Sequence, residues 1–69
     1  MDRAKVIKDA LERRRKNETL ERAIGKAVRR SGGKYEDYIE VMSRIREVRK
    51  AEGLTLEEAA REVASVHQL

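Results

Sequence analysis

The side chains that most often carry acid–base or covalent chemistry are few in this sequence and isolated from one another. His67 is the only histidine and is followed by just Gln68 and Leu69, so it lacks the rigid frame that a general base or metal ligand needs. Ser31, Ser43 and Ser65 have no partner set that would activate a nucleophile, and Ser31 is accounted for by a turn. Glu36, Asp37 and Glu40 could form one oxygen-rich patch. Acids in a first helical turn are expected from the helix dipole, however, and these lack the spacing of a calcium loop. Gly32-Gly33 lacks the lysine–threonine pair and preceding strand of a phosphate-cradling loop. Cysteine is absent, which removes disulfides, thiolate zinc sites and thiol redox chemistry. The expectation is a non-enzymatic protein with no catalytic residues, no metal ligands, no cofactor and no small-molecule substrate.

What remains is charge, and it is unevenly placed. Residues 1 to 34 hold 12 Lys or Arg against 5 acids, a balance of +7, whereas residues 35 to 69 hold 5 against 8, a balance of −3. The basic half could grip nucleic-acid phosphates, or the two halves could complement each other within a monomer or between protomers. Arg13-Arg14-Arg15-Lys16 is the densest basic run. On a helix its members fan out by about 100° each, so two or three could meet one phosphate strand. Arg29-Arg30 adds a second cluster. Both clusters also occupy last helical turns, where cations stabilise the negative end of the dipole without any ligand. The i,i+4 pairs Asp9–Arg13, Glu12–Lys16 and Glu18–Arg22 would use up part of the charge. The candidate nucleic-acid residues are therefore Arg13, Arg14, Arg15, Lys16, Arg29 and Arg30, in a contact that positions the protein without reading sequence. Tyr35 and Tyr38 are the only aromatic residues. Their spacing assigns them to a core stripe rather than to a platform for base stacking.

The elements that would position these residues are helices. Apolar residues recur at helical spacing in four stretches, separated at Asn17, at Ser31-Gly32-Gly33 and at Gly53-Leu54-Thr55. The pattern predicts an all-α fold, a compact bundle of four helices over about 2–16, 18–31, 34–52 and 55–66, forming a single domain over 1–69. The first helix carries Ala4, Ile7 and Leu11, widened by Val6 and Ala10. Asn17 reads as the N-cap of the second, with Glu18 and Glu21 at its positive end. That helix presents Leu20, Ala23, Ile24, Ala27 and Val28, and Gly25 within it implies a close neighbour, since glycine costs about 1 kcal/mol against alanine there. Gly32 and Gly33 close it, because glycine adopts the left-handed conformation without a Cβ penalty. The third helix carries Tyr35, Tyr38, Met42 and Ile45 at alternating spacings of three and four, beside Ile39, Val41 and Val48, a seam suited to two neighbours or to a second copy. Gly53, Leu54 and the Thr55–Glu58 capping box then end one helix and start the next, which carries Leu56, Ala59, Ala60 and Val63 and frays over Ser65 to Leu69, with Val66 and Leu69 still able to dock. The expected core is Ile7, Leu11, Leu20, Ile24, Ala27, Tyr38, Met42, Ile45, Leu54, Ala60 and Val63. No alternating run of β-branched or aromatic residues predicts a strand.

Residues 45 to 66, which read Ile-Arg-Glu-Val-Arg-Lys-Ala-Glu-Gly-Leu-Thr-Leu-Glu-Glu-Ala-Ala-Arg-Glu-Val-Ala-Ser-Val, resemble the opening of lambda-repressor-like helix-turn-helix domains. There a first helix ends in Gly-Leu-Thr and a second begins Thr-x-Glu-Glu-x-Ala. The resemblance covers about a third of the chain. It implies that Ala60 is the small residue packed inside the motif, and Ala64 stands where the turn usually has Gly. The recognition helix would follow Val66, where only His67, Gln68 and Leu69 remain, so no base-reading residue is carried over. A glycine stop and a threonine capping box are also the generic way to turn between any two helices.

Size and composition complete the expectation. A chain of 69 residues buries only about 60% of its unfolded surface. With no Phe or Trp, either helix packing is very regular or a homodimer covers apolar surface. Abundant charge, Arg in excess of Lys, and Asn17 and Gln68 as the only amides suit a thermophilic source, although a designed helical protein would look similar. No membrane span or signal-peptide h-region is present in the sequence, which predicts a cytoplasmic protein without membrane association. Two functions stand side by side: sequence-independent nucleic-acid association through the basic half, and a protein-interaction or homo-oligomeric structural module.

Overall fold

The computed structural model describes residues 1–66; His67, Gln68 and Leu69, and with them the expectations placed on His67 and Leu69, lie outside the described residues. Four helices follow in order: α1 (Arg3–Arg13), α2 (Leu20–Arg30), α3 (Tyr35–Glu52) and α4 (Leu56–Val66). They form an all-α four-helix bundle of 30 × 28 × 20 Å, and no strand occurs among the described residues. α1 packs on α2 and α4, α3 packs on α4, and α2 touches α3 more lightly.

Each helix starts where a cap and an apolar stripe coincide. Asp2 caps α1 by accepting from the Lys5 N–H at 3.3 Å. The α4 capping box forms as expected, with Thr55 N–H donating to Glu58 at 2.9 Å and Glu58 N–H donating to the Thr55 hydroxyl at 3.1 Å. At the first junction the structure corrects the sequence reading twice. α1 ends at Arg13 rather than Lys16, because Arg14 turns to an extended backbone (φ −58°, ψ 128°). The N-cap of α2 is Thr19 rather than Asn17, its hydroxyl accepting from Arg22 N–H at 3.2 Å. The stripe of α2 begins only at Leu20, so nothing apolar rewards an earlier start. Leaving Glu18 outside the helix frees its carboxylate to accept from Arg15 N–H at 3.3 Å. Because α1 stops early, Lys16 is off the helix and the expected Glu12–Lys16 pair is absent from the described ion pairs.

Glycine closes α2 and α3. Gly32 (φ 79°) and Gly33 donate to the carbonyls of Arg29 (3.0 Å) and Val28 (2.9 Å), the paired bonds of a Schellman motif. Gly53 (φ 67°) lets Leu54 N–H reach the Arg49 carbonyl at 3.1 Å. α3 then begins at Tyr35, with the Asp37 carboxylate reaching back to Lys34 N–H at 2.7 Å.

The core is aliphatic. Ile7, Ile24, Val41, Met42, Ile45 and Val63 are fully buried, alanines from α1, α2 and α4 are buried with them, and no polar or charged residue is buried as a whole among the described residues. Of the expected core, Leu11, Tyr38 and Leu54 are half-buried against this cluster and the rest are buried. The α3 seam divides. Met42 and Ile45 go inside with Val41 and Val48, while Tyr35 is 72% exposed. Gly25 faces the Tyr38 ring, but a Cβ there would meet the ring at 3.8 Å, an ordinary contact that does not demand glycine. Gly33 is different, since a Cβ would lie 2.8 Å from Val28 Cγ1, which belongs to a stiff, buried side chain. We therefore expect Gly25→Ala to raise stability by up to about 1 kcal/mol and Gly33→Ala to lower it by about 1–3 kcal/mol, in urea unfolding followed by circular dichroism.

Candidate nucleic-acid interface

The four cations from Arg13 to Lys16 follow one another in sequence, yet only the first two hold an acid, since α1 ends at Arg13. Arg13 (2.9 Å) and Arg30 (2.8 Å) converge on the Asp9 carboxylate. Arg14 acts as a tertiary strut: its Nε donates to the Glu18 carbonyl and a terminal nitrogen donates to Glu57 of α4, both at 2.8 Å. Arg15, Lys16 and Arg29 have no ion-pair partner among the described residues. Arg15, Lys16, Arg22 and Lys26 line one shallow depression. Arg22 and Lys26 also line an adjoining groove with Arg29 and Lys34. Together these linings place six cations from the first loop along α2 to the start of α3, with Glu18 and Glu21 lining the same two depressions. Arg13 and Arg30 border them across a small hollow shared with Arg15 and Lys26.

The helical period explains this surface. α2 buries Leu20, Ala23, Ile24, Ala27 and Val28, which turns Arg22, Lys26 and Arg29, at i, i+4 and i+7, outward along one line. Sequence alone does not single out Arg22, Lys26 and Lys34 for this surface; the i, i+4, i+7 spacing opposite the apolar stripe is the signal for the first two. The groove beside them holds about 870 Å³. Gly25 and Val28 line it together with the stacked rings of Tyr35 and Tyr38, whose centroids are 6.0 Å apart with planes at 29°. Glu21 is the one acid lining it.

Glu18 sets the local electrostatics. Its side chain is only 7% exposed, Lys26 Nζ lies 2.6 Å away, and Arg22 Nε, the expected i,i+4 partner, is farther at 3.7 Å. The hydrogen bond from Lys26, followed by that from Arg15 N–H, holds the Glu18 carboxyl below its ordinary value of 4.5. The same logic applies at Glu58, where the Thr55 N–H and then the Thr55 hydroxyl lower it. Elsewhere Glu62 is pushed up by a hydrogen bond with Glu52. The acids Glu36, Asp37 and Glu40 do not gather: Asp37 caps α3 and Glu40 pairs with Arg3 of α1. No group of three His, Cys, Asp or Glu among the described residues stands close enough to hold a metal ion.

No family model, curated protein or solved structure matches this chain. The functional reading rests on the surface itself. Among the described residues no helix is long and apolar enough to cross a membrane. Ala60, which the helix-turn-helix resemblance places inside the motif, is fully buried, and so is Ala59 before it.

The Glu18 contacts have a pH signature. A carboxyl whose folded value is lowered contributes stability above its unfolded value, and that contribution is lost as pH falls through the folded value. We expect Glu18→Gln to lower Tm at neutral pH. The gap from the parent protein should close as pH drops below about 4.5, measured by thermal denaturation across pH. A gap that persists unchanged at acid pH would mean that packing, not charge, is what Glu18 supplies.

Proposed function

We propose that this protein is a small, non-enzymatic α-helical binding module that associates with nucleic-acid phosphates through the cationic surface of α2 and its flanking loops. The observation that carries this reading is the run of cations shared by two adjoining surface depressions, Arg15, Lys16, Arg22, Lys26, Arg29 and Lys34. Arg15, Lys16 and Arg29 carry charge that no described acid neutralises. Arg22 and Lys26 share the single carboxylate of Glu18. Of the residues expected from sequence, Arg13, Arg14 and Arg30 contribute less, because each already holds an acid. Contacts of this kind are made to phosphate oxygens, so they fix position without discriminating bases.

A second reading, a homo-oligomeric module, has one observation in its favour: Tyr35 and Ile39, one turn apart on α3, are 72% and 44% exposed. It cannot use the Tyr35–Tyr38–Met42 seam expected from sequence, because Met42 is buried in the monomer. Sedimentation equilibrium separates the two readings, and a monomer at every accessible concentration would contradict the second.

The phosphate reading is checked by fluorescence-anisotropy titration of a duplex oligonucleotide at several salt concentrations. Each contacted phosphate contributes a log–log slope of about −0.9. Replacing Arg15, Lys16 and Arg29 together with Gln should flatten the slope by about two to three while Tm changes little, since these side chains hold no described ion pair, Arg15 and Lys16 lie in the first loop, and Gln suits the helix at position 29. Replacing Arg13, Arg14 and Arg30 should instead lower Tm and flatten the slope less. Absence of binding even at low salt would end this reading.

A further inference from the structure

The geometry points to a more specific ligand for the same surface: a single strand of DNA or RNA, with one base stacked on the exposed face of Tyr35 and the adjoining phosphates held by Arg22, Arg29 and Lys34. This inference rests on the phosphate-binding reading and adds a requirement for unpaired bases.

Tyr35 is the most exposed large hydrophobic side chain among the described residues, so core packing does not account for it. The place over Gly25 that a core aromatic would take is already filled by Tyr38, which is half-buried against the hydrophobic cluster. Tyr35 stacks on that ring at 6.0 Å. One ring is thus anchored by the core, and the second is laid against it with most of its surface in water. A single exposed tyrosine needs no explanation on a protein surface. Here, however, the ring lines the same groove as Arg22, Arg29 and Lys34. A flat apolar face beside a cationic track is what single strands use, because every base offers a π-face and every linkage a phosphate. Arg22 and Arg29 are separated by about 10 Å along the α2 axis, enough to follow successive phosphates of one strand. A base inside a duplex is covered on both faces by its neighbours and has none to offer Tyr35. The groove therefore favours single strands, whereas the cations alone would favour the higher charge density of a duplex.

The chain has two tyrosines and no tryptophan, so its own fluorescence reports on the site. Tyr38→Phe leaves Tyr35 as the only emitter. Addition of a short oligothymidylate or oligouridylate should quench that emission in step with the anisotropy change of the labelled strand, and the two oligomers separate DNA from RNA as ligand. In the parent background, Tyr35→Ala should weaken single-strand binding by about 5- to 150-fold. It should leave the salt slope and duplex affinity unchanged, and Tyr35→Phe should restore the loss because the ring, not the hydroxyl, stacks. Circular dichroism should be unaltered in each variant, as Tyr35 lies outside the core. Single-strand binding that is indifferent to Tyr35→Ala, or a duplex bound as tightly as a single strand at equal salt, would overturn the stacking inference and leave phosphate binding standing. Failure of both ligands to bind at low salt would overturn both.

Discussion

The arrangement depends on the burial of one face of α2. With no Phe or Trp, the interior is made from isoleucine, valine, leucine, methionine and alanine, and such a core closes only if helices approach tightly. α2 supplies Leu20, Ala23, Ile24, Ala27 and Val28 to that interior. Burying a large aliphatic side chain contributes about 1.5–3 kcal/mol, so the rotation of the helix about its axis is set by this stripe and not by its charges. Arg22, Lys26 and Arg29 are then carried outward on the opposite face, and the basic surface is a by-product of core formation before it is anything else.

Part of the charge elsewhere is used within the fold, while Lys5, Lys8, Arg46, Arg49 and Lys50 hold no described ion pair. Asp9 takes Arg13 and Arg30, Glu40 takes Arg3, and Glu57 takes Arg14 and Arg61. Exposed ion pairs of this sort contribute little singly. Arg14 differs because it joins the first loop to α4 through two hydrogen bonds on one guanidinium. The net excess of the N-terminal half is left on the first loop and α2, where acids are outnumbered and Glu18 must serve two cations.

How far the sequence revealed this follows from the range of each interaction. Glycine stops and the Thr55–Glu58 box were readable because they are local and involve residues a turn apart. The apolar stripes were readable because helical period and burial coincide, as at Ile7, Ile24, Ile45 and Val63. Asn17 misled because capping preference is shared by Asn and Thr, and the choice between them was made by where Leu20 must begin to be buried. Arg14 looked like one cation among four. Its role depends on Glu57, which is 43 residues distant and beyond any periodicity. Tyr35 has the spacing of a core residue, and only the folded arrangement shows that Tyr38 has already taken the seat over Gly25. Lys34 joins the basic surface because the Schellman turn brings it beside α2, a consequence of backbone path and not of sequence proximity.

On the proposed function, the outward face of α2 with the start of α3 is the surface that meets nucleic acid, ahead of the unpaired cations Lys5, Lys8, Arg46, Arg49 and Lys50 elsewhere. Amide chemical-shift mapping of the labelled protein with an unlabelled oligothymidylate tests it most directly. Perturbations should be confined to the amides around Arg15, Lys16, Arg22, Lys26, Arg29, Lys34 and Tyr35, and should fade as salt is raised. Perturbations centred on α4 or on the second half of α3, with this surface silent, would contradict it.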